Sequence, residues 1–159
     1  MPLKNNHQKK LTESSSVLVL GAGAWGTSFA SRIANIKKNQ NVFLWCRNSN
    51  LANKLSNNKV NHRYLPNIKI SDYLTISSDL QNLILKLKSK KSCNNFLVLA
   101  VPSSCISQVC DEVKVLGFSG SCTLISLSKG VVELDGKINW SSQVIANTFS
   151  EENVCVLSG

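Results

Sequence analysis

The sequence predicts a doubly wound α/β fold, in which an open and mostly parallel β-sheet is covered by helices on both faces. Short apolar runs recur along the chain, amphipathic helical patterns separate them, and a glycine-rich turn follows the first run. The length of 159 residues fits one domain, and a composition of 43% hydrophobic and 17% charged residues fits a folded core. We expect a disordered polar tail over residues 1–16 and one domain over residues 17–159.

Six short runs have the apolar, often β-branched character of buried strands. They are Val17–Leu20, Val42–Cys46, Leu74–Ile76, Phe96–Val101, Cys122–Leu127 and Val154–Leu157. Because strands that alternate with helices are joined by right-handed crossovers, these runs are expected to lie parallel in one sheet. The segment Asn57–Ser71 lacks clear periodicity and is expected to be a long loop, either functional or disordered.

Apolar residues at helical spacing predict helices between these strands. The three patterns are Phe29, Ile33 and Ile36; Leu80, Leu83, Ile84 and Leu87; and Ile106, Val109, Cys110 and Val113. Ser77, Ser78 and Asp79 provide an N-cap signal before the second pattern, and Ser103 and Ser104 provide one before the third.

Charge and cysteine content narrow the classes of function. The net charge is +9, but the lysines within Lys86–Lys91 have no aromatic residues between them to stack on bases, so we interpret them as a solvated helix end rather than a nucleic-acid contact. The six cysteines form no CxxC pair and have no metal-ligand spacing with His7 or His62, which favours buried or half-buried free thiols in a reducing cytosol and no metal site. The apolar run Phe96–Val101 is far shorter than the ~18 residues of a membrane span, so none is expected.

The glycine-rich turn is the motif most informative about function. The first predicted strand leads directly into Gly21-Ala22-Gly23-Ala24-Trp25-Gly26, and an amphipathic helical pattern follows. In this setting Gly21 permits the tight turn, Gly23 lets the backbone approach a pyrophosphate, and Gly26 lets helix and strand pack closely. The amide groups of the first helical turn then face the anion at the positive end of the helix dipole. The motif predicts a Rossmann-type dinucleotide site.

The end of the second predicted strand indicates which dinucleotide the site prefers. A site selective for NAD places Asp or Glu about 20 residues after the glycines. Here Arg47 lies 21 residues past Gly26, and no carboxylate lies near it in the sequence. A guanidinium suits a ribose 2′-phosphate and can stack on adenine. We therefore predict a preference for NADP(H) or dual use of NADP(H) and NAD(H), the alternative being a surface arginine unrelated to a cofactor.

Two later strand ends carry further candidates. Pro102-Ser103-Ser104 follows the fourth predicted strand, and Ser128-Lys129-Gly130 follows the fifth. Because ligands of open α/β sheets gather at the carboxyl ends of the strands, Lys129 is expected to project towards the cleft where nicotinamide and substrate meet. Its ammonium group can hold an anionic substrate and stabilise alkoxide charge during hydride transfer. On spacing alone, an ordinary exposed loop lysine is the alternative.

Six motifs in this order and at these spacings carry a resemblance to one family. They are Gly21–Thr27, Leu44–Arg47, Asn61–Pro66, Val101–Ser103, Ser128–Gly130 and Leu157–Gly159. From Val17 to Gly159 the chain resembles bacterial-type NAD(P)-dependent glycerol-3-phosphate dehydrogenase. The resemblance implies reduction of dihydroxyacetone phosphate to sn-glycerol 3-phosphate by NAD(P)H, which feeds glycerophospholipid synthesis in the cytoplasm. It also allows a homodimer of the full-length enzyme.

The resemblance, together with the glycine motif, assigns roles to single residues. The expected cofactor-binding set is Gly21, Gly23, Ala24, Trp25, Gly26, Arg47, Tyr64, Pro102 and Lys129. Lys129 matches a lysine that touches both cofactor and substrate, and Gly159 matches a glycine at the substrate site.

The helical C-terminal domain of the family is expected to be absent from this sequence. By the resemblance, that domain supplies the general acid–base lysine and the ligands of the substrate phosphate. No catalytic residue is therefore expected in this chain, and the lysine would lie beyond Gly159. Since a general acid must reach the carbonyl oxygen, we expect the chain to bind dinucleotide and to be close to inactive alone. The alternatives are a non-catalytic NAD(P)-binding module and a Rossmann-type dehydrogenase of different substrate.

Overall fold

A computed structural model describes residues 15–36, 41–89, 95–118, 122–134, 136–149 and 154–157. Its helices and strands, in chain order, are β1 (Ser16–Leu20), α1 (Ala24–Ile36), β2 (Asn41–Trp45), α2 (Ser49–Asn58), β3 (Val60–Asn61), β4 (Leu65–Lys69), β5 (Thr75–Ser77), α3 (Leu80–Ser89), β6 (Asn95–Leu99), α4 (Ile106–Val115), β7 (Cys122–Ser126), β8 (Val131–Leu134), β9 (Lys137–Trp140), α5 (Ser141–Phe149) and β10 (Val154–Val156). Residues 1–14, most of the expected tail, lie outside the described ranges. Ser16, also expected in that tail, is buried as the first residue of β1.

Six parallel strands form one sheet in the order β5-β2-β1-β6-β7-β10. The predicted doubly wound fold is thus confirmed. Strands β2 and β5 lie one after the other on one side of the central strand β1. Strands β6, β7 and β10 lie one after the other on its other side. The strand order therefore reverses between β1 and β6, and a crevice opens at the carboxyl ends of these two strands. In such sheets this crevice is where ligands bind.

Both faces of the sheet are buried, because alternate residues of each strand point to opposite sides. Leu18 and Leu20 belong to a core that also contains the apolar stripes of α3 and α4 and part of α5. Val17 and Val19 belong to a second core with the buried alanines of α1 and Ala52 and Leu55 of α2. This two-sided burial explains why the strands could be recognised as nearly continuous apolar runs.

The expected loop over Asn57–Ser71 is wrong. Its first two residues end α2, and most of the remainder forms the antiparallel hairpin of β3 and β4. Helix α2 was not predicted because only Ala52 and Leu55 are buried, too few apolar positions to show a helical period. Its N-terminus is fixed instead by Asn48, whose side chain accepts a hydrogen bond from the backbone of Leu51 at 2.9 Å. The hairpin β8–β9 and helix α5 were also not predicted.

The five cysteines that the structure describes are free thiols: Cys46, Cys105, Cys110, Cys122 and Cys155. Burial, with a smaller contribution from the charge of Asp111, raises the pKa of Cys110 to about 12, and burial also raises the pKa of Cys46. Both thiols therefore stay protonated at neutral pH. Cys155 is exposed, not buried or half-buried as expected, because β10 lies at an edge of the sheet. Cys93 lies outside the described residues.

Among the residues that the structure describes, no group of three or more His, Cys, Asp or Glu side chains is arranged to hold a metal ion. None of the helices described has the length and apolar character that crossing a membrane requires.

Candidate dinucleotide-binding site

The glycine turn, residues 21–26, connects β1 to α1 at the crevice. Gly21 has φ +114°, a conformation that L side chains rarely adopt, and its backbone amide donates to the carbonyl of Trp45 at 3.1 Å. A Cβ atom at this position would lie 2.6 Å from the carbonyl oxygen of Ala100. Both the backbone conformation and the packing therefore require glycine at position 21.

The other two glycines differ in what surrounds them. A Cβ atom on Gly26 would overlap the carbonyl oxygen of Gly21 and lie 3.0 Å from the Cβ of Ala100, so Gly26 is required for packing between helix and strand. A Cβ atom on Gly23 would meet no atom within 4 Å, and Gly23 is not among the residues with positive φ. Nothing described in the chain itself requires glycine at position 23, whereas a ligand lying against the backbone would.

The loop after β6 contacts both the loop after β1 and the loop after β7. The glycine turn contacts Ala100, and the hydroxyl group of Ser128 donates to the carbonyl of Val101 at 2.6 Å. The loop after β6 continues through the exposed Pro102 into a 3-10 turn over Ser103–Cys105. The structure therefore brings three sequence motifs, the glycine turn, Val101–Ser103 and Ser128–Gly130, to one edge of the sheet.

Asn61 anchors the glycine turn to the hairpin β3–β4, a role that the sequence analysis missed. Its buried side-chain amide donates to the carbonyl of Ala22 at 3.1 Å and to the hydroxyl of Thr27 at 3.0 Å. Its side-chain oxygen accepts from the backbone of Tyr64 at 3.3 Å. The only sequence signal was that Asn61 begins the motif Asn61–Pro66. The hydrogen bond from Tyr64 holds the backbone of this exposed residue, which is expected to bind cofactor, beside Asn61.

Asn61→Ala is expected to lower the free energy of unfolding by about 2 kcal/mol, because it leaves buried polar groups without their partner. The change should also weaken dinucleotide binding, since the glycine turn loses its attachment to the hairpin. Urea unfolding and a coenzyme titration measure the two effects. The matched control is Asn67→Ala, which removes an exposed asparagine of the same hairpin and should change neither quantity. Equal effects of the two substitutions would contradict the anchoring role.

Arg47 follows β2, as predicted, but a carboxylate lies beside it. Its Nη2 is 3.0 Å from Oε1 of Glu112, and its Nη1 donates to Oε1 of Gln108 at 3.2 Å. The Cζ atom lies over the ring of Trp45, 5.5 Å from the centroid. No carboxylate lies near Arg47 in the sequence. In the fold, however, α4 brings Glu112 to the end of β2. The Arg47 side chain remains 48% exposed.

Lys129 is exposed and lies beside a cavity of about 390 Å³ at the carboxyl ends of β7 and β10. The cavity is lined by Ser126, Ser128, Lys129, Gly130, Trp140, Ser141, Ser142, Val156 and Leu157. The buried hydroxyl group of Ser126 has no hydrogen-bond partner among the described residues. A cavity with one cation and several hydroxyl groups suits a small anionic, oxygen-rich ligand. Gly159, expected at the substrate site, lies outside the described residues.

Comparisons with known proteins agree with this geometry. Residues 16–159 match the family model described as NAD-dependent glycerol-3-phosphate dehydrogenase N-terminus. A relative from Carboxydothermus hydrogenoformans, named glycerol-3-phosphate dehydrogenase (NAD(P)+), is 35% identical over 148 residues, which are 92% of this chain and 40% of that protein. The chain thus spans about 40% of the length of this relative and of another from Clostridium acetobutylicum.

Solved structures of glycerol-3-phosphate dehydrogenases also align with this chain. The crystal structure of glycerol-3-phosphate dehydrogenase from Coxiella burnetii aligns with a TM-score of 0.70 and 27% identity, over 91% of this chain and 39% of that chain. Glycerol-3-phosphate dehydrogenase from Saccharomyces cerevisiae aligns with a TM-score of 0.74 over 92% of this chain and 42% of that chain. At 22% identity, the second likeness supports the fold alone.

Proposed function

The chain belongs to the NAD-dependent glycerol-3-phosphate dehydrogenase family, whose N-terminal part it covers, and from this premise we propose that it binds NADPH and NADH across the crevice. The proposal extends to the reaction of the whole enzyme, the interconversion of dihydroxyacetone phosphate and sn-glycerol 3-phosphate by hydride transfer. A cytoplasmic location and a role in glycerophospholipid synthesis belong to the same proposal. The comparisons do not favour a stand-alone binding module or a dehydrogenase of different substrate.

The observation that carries the proposal is the contrast between Gly23 and its neighbouring glycines. Gly21 and Gly26 are required by backbone conformation or packing, whereas Gly23 faces open space. A pyrophosphate placed there lies against the first turn of α1, where unpaired backbone amides and the helix dipole favour an anion. Ala24 and Trp25 are exposed at the same place, so a bound dinucleotide would cover an otherwise solvent-exposed indole ring.

The order of strands gives the dinucleotide a direction. Strands β2 and β6 flank β1 on opposite sides, so Arg47 lies on one side of the glycine turn and Lys129 on the other. With the pyrophosphate on the turn, Arg47 would hold the adenosine half, because its guanidinium group suits a 2′-phosphate. Pro102 and Lys129 would hold the nicotinamide half. The cavity beside Lys129 then takes the phosphorylated three-carbon substrate.

The glycine turn, Pro102 and Lys129 would hold a reduced nicotinamide coenzyme, which would supply a hydride to the substrate carbonyl and leave a secondary alkoxide. Lys129 stabilises the negative charge on that oxygen, and the hydroxyl group of Ser128 orients the ligand within the cavity. Completion of the alcohol requires a proton from a general acid. In this proposal the acid is a lysine beyond Gly159, as the family resemblance implies. The chain alone therefore binds coenzyme with little turnover.

The test is a titration of the 159-residue chain with NADPH and with NADH, followed by the fluorescence of its tryptophans. Trp25, within the glycine turn, should report binding, and saturable 1:1 binding of both coenzymes is expected. A circular-dichroism spectrum establishes that the sample is folded. A folded sample without saturable binding would overturn the proposal. Steady NADPH oxidation with dihydroxyacetone phosphate would overturn only the assignment of the general acid to a missing lysine.

A further inference from the structure

Helix α4 presents two side chains to the guanidinium group of Arg47. Glu112 lies 3.0 Å from Nη2, and Gln108, one helical turn earlier, accepts from Nη1 at 3.2 Å. Gln108 also donates to Oε1 of Glu112 at 3.0 Å. The three side chains therefore form one connected network, in which a single carboxylate oxygen accepts from both of its neighbours.

This network changes the charge at the end of β2. Sites that select NAD carry a carboxylate there to accept from the ribose 2′-hydroxyl, and sites that select NADP carry a cation there for the 2′-phosphate. Here the strand end provides the cation, Arg47, and a distant helix provides the carboxylate, Glu112, 65 residues further along the chain. A 2′-phosphate would meet a neutralised pair instead of an unpaired guanidinium group.

We propose that Glu112 is a specificity-determining residue that holds the coenzyme preference close to balance. The inference rests on the proposed binding of NAD(P)(H) at this site. When NADH binds, the pair of Arg47 and Glu112 stays intact, and no charge is left unpaired. When NADPH binds, Arg47 must leave Glu112 for the 2′-phosphate, and the carboxylate then repels that phosphate. Glu112 therefore lowers the affinity for NADPH and leaves that for NADH nearly unchanged.

The exposure of the pair makes this exchange feasible. The side chains of Arg47 and Glu112 are 48% and 38% exposed, so water screens their attraction and the bond between them is weak. A phosphate with two negative charges competes successfully with one exposed carboxylate for the same guanidinium group. Trp45, buried below Arg47, keeps the guanidinium group at the site during the exchange.

The deciding experiment compares Glu112→Gln with Asp111→Asn in coenzyme titrations of the 159-residue chain. Glu112→Gln keeps an oxygen acceptor for Arg47 but removes the charge, and it should raise the affinity for NADPH about three- to tenfold. The affinity for NADH should change less than about twofold. Asp111→Asn removes the same charge from the adjacent exposed position of α4 and should leave the ratio of the two affinities unchanged.

Ionic strength provides a second measurement. Because the effect of Glu112 is electrostatic and exposed, the gain in NADPH affinity should shrink as salt is raised from about 0.05 M to 0.5 M. The inference is overturned if Glu112→Gln weakens NADPH binding, if the two variants shift the ratio equally, or if neither shifts it. Failure of the unsubstituted chain to bind either coenzyme would instead overturn the proposed function, and the inference with it.

Discussion

Gly23→Ala is expected to weaken binding of both coenzymes at least tenfold while leaving the fold intact. The added methyl group meets no protein atom, and the backbone conformation at this position is open to alanine. The free energy of unfolding should therefore stay constant or rise by about 0.5 kcal/mol, through the lower entropy of the unfolded chain. Binding suffers because the methyl group occupies the space in which the pyrophosphate approaches the backbone.

Gly26→Ala, three residues later, is expected instead to destabilise the fold. Its methyl group overlaps the backbone carbonyl of Gly21, which cannot move aside as a flexible side chain can. We expect a loss of about 3 kcal/mol in the free energy of unfolding, larger than the ~1 kcal/mol that alanine gains over glycine within a helix. Urea unfolding and coenzyme titration of both variants provide the measurement. If the two substitutions had the same effects on the free energy of unfolding and on coenzyme affinity, the distinction between a glycine needed for packing and one needed for a ligand would be refuted.

Arg47→Asp is expected to lower the affinity for NADPH between about tenfold and a hundredfold, and that for NADH less than about threefold. The guanidinium group makes charge-assisted hydrogen bonds to the 2′-phosphate, each worth roughly 1.5–3 kcal/mol, and aspartate repels the same phosphate. NADH lacks this phosphate and is affected only through the adenosine. Separate titrations with the two coenzymes measure the difference.

The matched control for Arg47→Asp is Arg32→Asp. It changes the net charge by the same amount at an exposed position of α1, away from the end of β2. Its effect on NADPH should be small and should vanish in moderate salt. Equal losses of NADPH and NADH affinity in Arg47→Asp would mean that Arg47 supports the fold of the site instead of reading the 2′-phosphate.

The elements that the sequence revealed are those buried by the sheet itself. Strands covered on both faces must be apolar throughout, and the helices that cover them must carry an apolar stripe, so both patterns are local. Helix α2 and the hairpin β3–β4 are rich in asparagine and expose most of their side chains. Their positions depend on caps and anchors such as Asn48 and Asn61, which leave no periodic pattern.

The residues of the candidate site also divide into those that the sequence indicates and those that only the fold brings together. The positions of the glycine turn and of Lys129 at the carboxyl ends of strands could be predicted, because the sequence shows where an apolar strand ends. The pairing of Arg47 with Glu112 could not be predicted, because it joins β2 to α4 across 65 residues. The hydrogen bonds that Asn61 donates to Ala22 and Thr27, 39 and 34 residues earlier in the chain, could not be predicted either. Such contacts exist only once the sheet has brought its strand ends together.

The attachment of Asn61 to Ala22 and Thr27 has a consequence for the kinetics of association. A loop that must become ordered around its ligand loses conformational entropy on binding and slows the encounter. Here buried hydrogen bonds fix the loop before any ligand arrives. The entropic cost of association then falls mainly on the coenzyme, a flexible molecule, because the surface that the protein contributes is already ordered.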